Sequence, residues 1–269
     1  MKHALIRLYK RLFVRRAFYR LHARLFNIGL WGMGILNSEN FELSGEEHFL
    51  RQLDQYLPAG QPDVVLDVGA NIGSYSSRVK QLWPQARVYA FEPHSVSFER
   101  LSEQARRMGF EAFNAAASEV AGRATLYNRP GTNSETASLQ AGVIEAGIGG
   151  SVVSSEVPVT RLDEFVHDHG LHRISLLKID TEGHELSVLR GIAQTLAAAQ
   201  VDAIQFEFNT MHVVSRVFLR DIRAALPGYY FYRLLPDGLV PISFEPPFRS
   251  EIFAFQNIAA LRVKPGRQS

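Results

Sequence analysis

Short apolar runs alternate with amphipathic segments from about residue 41 onward, and this pattern predicts alternating strands and helices. The predicted strands cover residues 64–68, 87–91, 110–117, 124–127, 157–162, 174–179, 203–208, 229–234 and 251–255. The predicted helices cover residues 74–83, 96–108, 163–169, 185–199 and 215–226. Strands joined by crossover helices form a mostly parallel sheet covered on both faces, so the expected fold class is α/β. The last two strands are expected to close the sheet as an antiparallel hairpin.

The length of 269 residues favours one large domain with a short extension over two equal domains. We expect a basic helical N-terminal extension at residues 1–40 and a single domain at residues 41–269. The composition is 46% hydrophobic, which supplies enough apolar surface for a core and excludes a disordered or fibrous protein. The chain has no cysteine, which excludes disulfide bonds, thiolate metal sites and a cysteine nucleophile.

The formal charge of +2 conceals an uneven distribution. Residues 1–24 contain eight Lys and Arg residues and no acidic residue, which leaves 21 basic against 27 acidic residues in the rest of the chain. A nucleic-acid-binding domain would carry positive charge across its folded body, so no nucleic-acid partner is expected.

The first fourteen residues are amphipathic on a helical wheel, with leucines opposite Arg7, Lys10 and Arg11. From Arg15 onward the apolar and basic arcs exchange, which predicts two short helices or a kink. The apolar run at 25–36 is too short to cross a membrane and no secretory signal is expected, so the predicted location is cytoplasmic. Three roles remain open for residues 1–26: peripheral contact with the inner face of an anionic membrane, packing on the domain or on another subunit, and a mitochondrial presequence.

A glycine-rich turn, Asp67-Val68-Gly69-Ala70-Asn71-Ile72-Gly73, joins the first predicted strand to its helix. Glycines in such a turn let a ligand approach the backbone closely, and the first amides of the helix offer hydrogen-bond donors. The spacing Asp-x-Gly-x-x-x-Gly lacks the third glycine of a dinucleotide cradle, and no Lys or Arg lies in the turn to meet phosphate. The turn therefore predicts a ligand without phosphate, contacted by Asp67, Gly69, Ala70, Asn71 and Gly73.

Glu92 follows the second predicted strand directly, where an acid can accept hydrogen bonds from a ribose diol. A ligand with a ribose, a positive charge and no phosphate fits these residues, and S-adenosylmethionine is such a molecule. Its cationic groups would favour the carboxylate of Asp67, and its adenine would lie over the end of the third strand at Asn114 and Ala116. The alternative is that Asp67 and Asn71 cap the loop and that Glu92 is a surface acid.

A second polar cluster follows the predicted strand at 174–179 and begins a helix. Because ligands of open α/β sheets bind at the carboxyl ends of the strands, we expect this loop to lie beside the glycine-rich turn. Asp180, Glu182 and His184 are the catalytic candidates, since clustered carboxylates have raised pKa values that suit a general base for an alcohol acceptor. The alternative is that Thr181 or Glu182 caps the helix and that Glu185 interacts favourably with the helix dipole.

No metal site is predicted, because His167, His169 and His172 fall where a short helix breaks, far in sequence from the carboxylates. Glu207 and Asn209 end a strand whose carboxyl end would border the same cleft. The weakly patterned stretch at 129–156 is expected to cover the pocket.

In combination, these segments resemble the FkbM-type S-adenosylmethionine-dependent methyltransferase family. The resemblance rests on LDVGANIG at 66–73, AFEPHSVSFERL at 90–101, NAAASE at 114–119, VTRLDEF at 159–165 and LKIDTEGHELSVLRG at 177–191. It implies a seven-stranded, Rossmann-like class I methyltransferase sheet and O-methylation of a hydroxyl on a sugar, glycan intermediate or natural product. By motif, it places Asp67, Gly69, Asn71, Gly73 and Glu92 at the cofactor, and Asp180 and Glu182 at the methyl-transfer end.

The expected function is therefore methyl transfer from S-adenosylmethionine to a small-molecule or glycan hydroxyl. Two alternatives remain. One is a nicotinamide-dependent oxidoreductase, against which the absent third glycine argues. The other is a catalytically inactive S-adenosylmethionine-binding module that docks on membranes through residues 1–26. The sequence leaves open N- or C-methylation and the oligomeric state.

Overall fold

The computed structural model describes residues 2–129, 137–140, 142–143 and 151–265, and in these ranges the strands form two β-sheets. The strands are β1 (Val64–Val68), β2 (Arg87–Phe91), β3 (Glu111–Phe113), β4 (Ala116–Ala117), β5 (Gly122–Asn128), β6 (Val153–Thr160), β7 (Ile174–Ile179), β8 (Val201–Phe208), β9 (Tyr230–Leu235), β10 (Gly238–Pro241) and β11 (Gln256–Leu261).

The larger sheet has the strand order β10-β9-β11-β8-β7-β1-β2-β3. The five strands from β8 to β3 run parallel, and β11, β9 and β10 pair antiparallel. This arrangement confirms the expected mostly parallel α/β sheet with antiparallel C-terminal strands. The sheet has eight strands where seven are expected, because β10 pairs with the outer edge of β9. The strand order reverses between β1 and β7, and such a switch point is where open α/β sheets bind ligands.

Two strand predictions are wrong in detail. Residues 110–117 do not form one strand: β3 pairs with β2, whereas β4 pairs with β6 in a three-stranded sheet of order β4-β6-β5. The predicted strand at 251–255 lies just before the real one, because β11 occupies Gln256–Leu261 and is inserted between β8 and β9. Gln256 and Asn257 are polar, so the start of this strand does not read as part of an apolar run in the sequence, although both side chains are buried.

The helices are α1 (Lys2–Phe13), α2 (Tyr19–Gly32), α3 (Glu46–Arg51), α4 (Leu53–Tyr56), α5 (Ser74–Leu82), α6 (Ser95–Met108), α7 (Leu162–Asp168), α8 (Glu185–Gly191), α9 (Ala193–Ala197), α10 (Met211–Ser215) and α11 (Leu219–Ala225), with 3₁₀ turns at Arg16–Phe18 and Pro247–Arg249. Two predicted helices are interrupted. Residues 185–199 form α8 and α9, which break at Ile192. The helix predicted at 215–226 is interrupted at Arg216, whose φ of 57° is incompatible with a continuing helix, so α10 ends at Ser215 and α11 begins at Leu219.

The core lies on both faces of the larger sheet. All five residues of β1 are buried, with Val64, Leu66 and Val68 packed into one apolar cluster and Val65 into the cluster on the other face. This alternation follows from the two-residue period of a strand. A strand buried on both faces reads as a continuous apolar run, which is why the bounds of β1 are predicted correctly.

The predicted break after the first helix is confirmed, since α1 ends at Phe13 and α2 begins at Tyr19. The aromatic side chains of Tyr9, Phe13, Phe18 and His22 pack across the break, and the hydroxyl of Tyr9 lies 2.6 Å from Nε2 of His22. In the part of the chain that the structure describes, no helix combines the length and the apolar character that crossing a membrane requires.

Candidate active site

The carboxyl ends of β2, β1 and β7 lie side by side, so two loops that are distant in sequence meet. The amide of Asp180 donates a hydrogen bond to the carbonyl of Val68 at 2.8 Å. Gly69 has a φ of 84°, and a Cβ at this position would lie 1.8 Å from the carbonyl oxygen of Asp180. Only glycine fits at this contact, so the close approach of the two loops explains why the first position of the turn is a glycine.

A cleft that is partly open to solvent lies at this junction. It is lined by Val68, Gly69, Asn71, Phe91, Glu92, Pro93, Ala115, Ala116, Ala117, Leu126, Ala137, Leu139, Asp180, Thr181, Glu182, His184 and Glu207. Seven predicted site residues are among them, namely Gly69, Asn71, Glu92, Ala116, Asp180, Glu182 and His184. Four predicted site residues are not, namely Asp67, Ala70, Gly73 and Asn114.

Glu92 is buried at the end of β2 and held in one orientation. Its Oε2 accepts a hydrogen bond from the amide of Asn71 at 2.9 Å, and its Oε1 accepts one from the amide of His94 at 2.8 Å. Burial raises the pKa of Glu92 to about 7, although the two amide hydrogen bonds act in the opposite direction. The carboxyl group is therefore fixed at the cleft wall and titrates near neutral pH, unlike a surface acid.

Asp67 points away from the cleft, towards α5. Its Oδ2 accepts a hydrogen bond from the hydroxyl of Ser76 at 2.6 Å, and burial raises its pKa to about 6 against the effect of that hydrogen bond. Ala70 packs against Leu101 instead, and a Cβ on Gly73 would lie 2.8 Å from Leu101 Cδ1. These three residues shape the turn from behind.

Asn114 fixes the turn that follows β2. Its Nδ2 donates hydrogen bonds to the carbonyl oxygens of Glu92 at 2.9 Å and Pro93 at 3.2 Å. Ala116 lies in the cleft wall next to Ala115 and Ala117, where the small side chains leave an apolar surface. The residues at 114–116 therefore divide into one that braces the loop and two that face the cleft.

Three carboxyl groups converge in the cleft wall. One oxygen from each of Asp180, Glu182 and Glu207 lies within 4.8 Å of those of the other two, a separation that suits a hard cation. Asn209 Nδ2 donates to Glu182 Oε2 at 3.1 Å and to Glu207 Oε1 at 2.5 Å. Burial and the neighbouring carboxylates raise the pKa of Glu182 to about 8, and the same causes raise that of Glu207 well above its ordinary range.

Lys178 is a buried charged residue beside the cleft that the sequence analysis does not single out. Its side chain is buried, and its Nζ lies 3.2 Å from Asp180 Oδ2 and 3.6 Å from Glu46 Oε1. Burial lowers the pKa of Lys178, but the carboxylates of Asp180 and Glu46 outweigh this effect and hold the pKa above its ordinary value. The sequence does contain a signal for this contact, namely a lysine within a mostly apolar strand. A lysine in such a strand is buried only when it has a charged partner.

His184 lines the cleft, but both of its ring nitrogens have partners. Nδ1 lies 3.0 Å from Gln140 Nε2, and Nε2 lies 3.0 Å from the hydroxyl of Ser118. Because the amide nitrogen of Gln140 can only donate, Nδ1 is the acceptor and Nε2 carries the hydrogen. Burial lowers the pKa of His184, which favours the neutral ring.

Part of the predicted pocket cover is described. Ala137 and Leu139 line the cleft, and the hydroxyl of Ser138 donates to the carbonyl of Glu182 at 2.9 Å. The remainder of the predicted cover at 130–136, 141 and 144–150 lies outside the described residues. The three histidines near residue 170 do not join the carboxylates, and His169 stacks on Phe165 with ring centroids 3.9 Å apart.

Comparison with known proteins shows that this chain is similar to methyltransferases. The family model of the methyltransferase FkbM domain matches residues 67–234, which include both loops. The hexuronic acid methyltransferase AglP of Haloferax volcanii is 31% identical over 58% of this chain and 59% of its own length. The 2-O-methyltransferase NoeI of Sinorhizobium fredii is 26% identical over 70% of this chain and 81% of its own length.

The coverage of the relatives is partial. The chain spans 60%, 67% and 59% of the length of methyltransferases from Sordaria araneosa, Beauveria bassiana and Haloferax volcanii. Among solved structures, an O-methyltransferase from Bacillus cereus in complex with SAH aligns with a TM-score of 0.44 and 9% identity, covering 96% of this chain and 97% of its own.

Proposed function

We propose, from the premise that this chain belongs to the FkbM methyltransferase family, that it transfers the methyl group of S-adenosylmethionine to a hydroxyl oxygen of a sugar or another small molecule. The observation that carries the proposal is the position of Glu92 and Asp180 in the wall of one cleft, with Gly69 between their loops. The cleft offers two kinds of surface, since both small apolar residues and carboxyl groups line it.

The residues present fit S-adenosylmethionine at three points. Glu92 is held by two backbone amides and keeps further oxygen lone pairs for the two hydroxyls of a ribose. The apolar surface of Ala115, Ala116 and Ala117 suits an adenine ring. The carboxyl groups of Asp180 and Glu182 suit a positively charged group, because buried carboxylates are stabilised by a nearby cation.

When bound, S-adenosylmethionine supplies an electrophilic methyl group, so the protein has to hold a hydroxyl oxygen in line with it and accept the hydroxyl proton. We assign Glu182 as the base that accepts this proton. Its pKa of about 8 is close to the range in which a general base works best, and Asn209 fixes its orientation. Asp180 is paired with Lys178, and His184 has its acceptor nitrogen occupied by Gln140, so neither is equally suited.

A sugar hydroxyl is the acceptor class that we favour. The names of the two relatives refer to hexuronic acid methylation and to 2-O-methylation. The carboxyl groups of Asp180, Glu182 and Glu207 add a physical reason, since carboxylates recognise neighbouring hydroxyl groups through hydrogen bonds.

Calorimetric titration with S-adenosylmethionine tests the cofactor assignment. We expect micromolar-scale affinity for the wild type and a loss of at least about tenfold in Glu92→Gln, because one good hydrogen bond to a charged group is worth roughly that much. The exposed acid Glu103 provides a matched control, and Glu103→Gln should bind like the wild type. The absence of binding heat in the wild type would contradict the proposal.

Mass spectrometry of candidate glycans, incubated with a labelled methyl donor, tests the reaction. A mass gain of one methylene group supports methyl transfer, whereas cofactor binding without any transfer would favour an inactive binding module. The nicotinamide-dependent alternative is tested by fluorescence titration with the reduced dinucleotide.

A further inference from the structure

The helices α1 and α2 carry a large apolar surface that the rest of the described protein does not cover. From residue 3 to residue 33, every residue is exposed except Phe18, His22 and Leu30. More than half of the large apolar side chains that the described residues expose lie here, namely Leu5, Ile6, Leu8, Tyr9, Leu12, Phe13, Val14, Tyr19, Leu21, Leu25, Phe26, Ile28, Trp31 and Met33. An apolar surface of this extent marks an interaction site.

The apolar surface adjoins positive charge in both helices. In α1, the leucines at 5, 8 and 12 share one arc, and Arg7, Lys10 and Arg11 lie on the opposite arc. In α2, Leu21, Leu25 and Ile28 share an arc, and Arg20 and Arg24 lie on the adjacent arc. The packing of Tyr9, Phe13, Phe18 and His22 connects the two helices across the break.

The charge of this segment selects the partner. Residues 1–38 contain eight Lys and Arg residues and no acid. A second copy docked face to face through these helices would bring the same positive charges together, which is unfavourable. The negatively charged headgroups of a lipid bilayer neutralise them, while the acyl boundary accepts leucine and aromatic side chains.

We propose that residues 2–33 form a docking surface for an anionic lipid bilayer, on which α1 and α2 lie in the plane of the headgroups. Neither helix meets the requirements for crossing a bilayer, so the contact is peripheral. The Lys and Arg side chains extend towards the phosphates, and the apolar arcs enter the headgroup boundary. The surface is separate from the cleft and does not depend on its chemistry.

Co-sedimentation of the full chain with lipid vesicles tests this proposal. We expect binding to vesicles of phosphatidylcholine and phosphatidylglycerol in equal parts, little binding to phosphatidylcholine alone, and weaker binding as salt is added. The double variant Leu8→Gln with Leu12→Gln should reduce the bound fraction at least about tenfold, because two apolar side chains no longer enter the boundary. The control Val120→Gln with Val240→Gln removes two exposed apolar side chains elsewhere and should bind like the wild type.

Several outcomes would overturn the proposal. Equal binding to neutral and anionic vesicles would show that the positive charge does not contribute to binding. Unchanged binding of the leucine variant would show that the apolar arc of α1 does not contribute. Sedimentation equilibrium without lipid tests the second-copy alternative, and a dimer that dissociates in the leucine variant would assign the surface to self-association. The unfolding temperature of each variant, measured by circular dichroism, shows whether the fold is intact. We expect wild-type values, because the altered side chains are exposed.

Discussion

Glu185 Oε2 lies 2.9 Å from His212 Nε2, and both side chains are only 1% exposed. The two atoms are close enough for an ion pair, although they do not form a hydrogen bond of good geometry. The other oxygen of Glu185 accepts from the amide of Thr181 at 3.0 Å and from the amide of Gly183 at 3.3 Å. The pair therefore fastens the loop that carries Asp180 and Glu182 to α10.

Removing the imidazole should destabilise the fold strongly. We expect His212→Leu to lower the free energy of unfolding by about 3–5 kcal/mol, because it leaves the Glu185 carboxylate buried without its partner. The exposed pair of His167 and Asp168 offers a matched control, and His167→Leu should cost less than about 1 kcal/mol. Urea unfolding at neutral pH measures both values. Equal midpoints for the two variants would show that the buried pair does not stabilise the loop.

The pair of Glu185 and His212 also predicts that the free energy of unfolding decreases at low pH. Burial alone would raise the pKa of Glu185, but the charge of His212 and the hydrogen bonds lower it to about 2. Because the pKa in the folded state lies below that in the unfolded chain, the stabilisation is present above about pH 4.5 and is lost as the pH falls towards 2. The expected loss is about 3 kcal/mol across this window. Glu185→Gln should flatten this part of the curve of unfolding free energy against pH, and an unchanged curve would exclude Glu185 as its source.

Gly69 and Gly109 separate two effects of adding a methyl group. Both have positive φ, of 84° and 74°, but a Cβ meets the backbone of Asp180 only at Gly69, and nothing lies within 4 Å at Gly109. Gly109→Ala should therefore cost about 1 kcal/mol from backbone strain alone. Gly69→Ala should cost roughly 2–4 kcal/mol and weaken cofactor binding, because the two loops must move apart. Thermal unfolding and calorimetry give both quantities, and similar losses in the two variants would show that the loops are not in tight contact.

Cofactor binding should strengthen as the pH rises. Burial raises the pKa of Glu92 to about 7 in the free protein, and a carboxylate binds a ribose diol better than a carboxylic acid does. Protonation therefore competes with binding below pH 7, and we expect the Kd to fall by about tenfold between about pH 6 and pH 8. Calorimetric Kd values across this range measure the effect. In Glu92→Gln the dependence should be shallower, and an unchanged slope would assign the titration to another group.

The sequence predicts the positions of strands better than it predicts partners within the core. β1, β2 and β7 have the predicted bounds because apolar side chains fill nearly all of their positions. β11 does not, because Gln256 and Asn257 are buried through hydrogen bonds to Arg233 and Gln205, which lie far away in sequence. Polar residues that are buried through partners far away in sequence do not add to the apolar pattern from which a strand is predicted.

In the candidate site too, the sequence predicts which strand ends meet better than it predicts the contacts of individual side chains. The rule that ligands bind at strand ends correctly brings Glu92 and Asp180 to one cleft, since it depends only on strand order. It does not give the direction of a side chain, and Asp67 points towards α5 because it lies on the same face of β1 as Val65. The contact of Lys178 with Glu46 joins β7 to a helix that precedes the first strand, and no local pattern predicts it.

Glu182 is the residue on which the proposed proton transfer depends. Burial, Asp180 and Glu185 raise its pKa to about 8, whereas Asn209 and Lys178 act in the opposite direction. The carboxylate can accept a proton only once it is ionised, so kcat should rise with pH and level off near or below pH 8, since a bound cation favours the ionised form. Glu182→Gln keeps the size of the side chain and should lower kcat, measured at saturating cofactor, by about 10²-fold or more. The exposed Glu164, in α7, gives the matched control Glu164→Gln, which should behave like the wild type. A Glu182→Gln enzyme with the wild-type kcat and the wild-type pH profile would move the role of base to another group of the cleft.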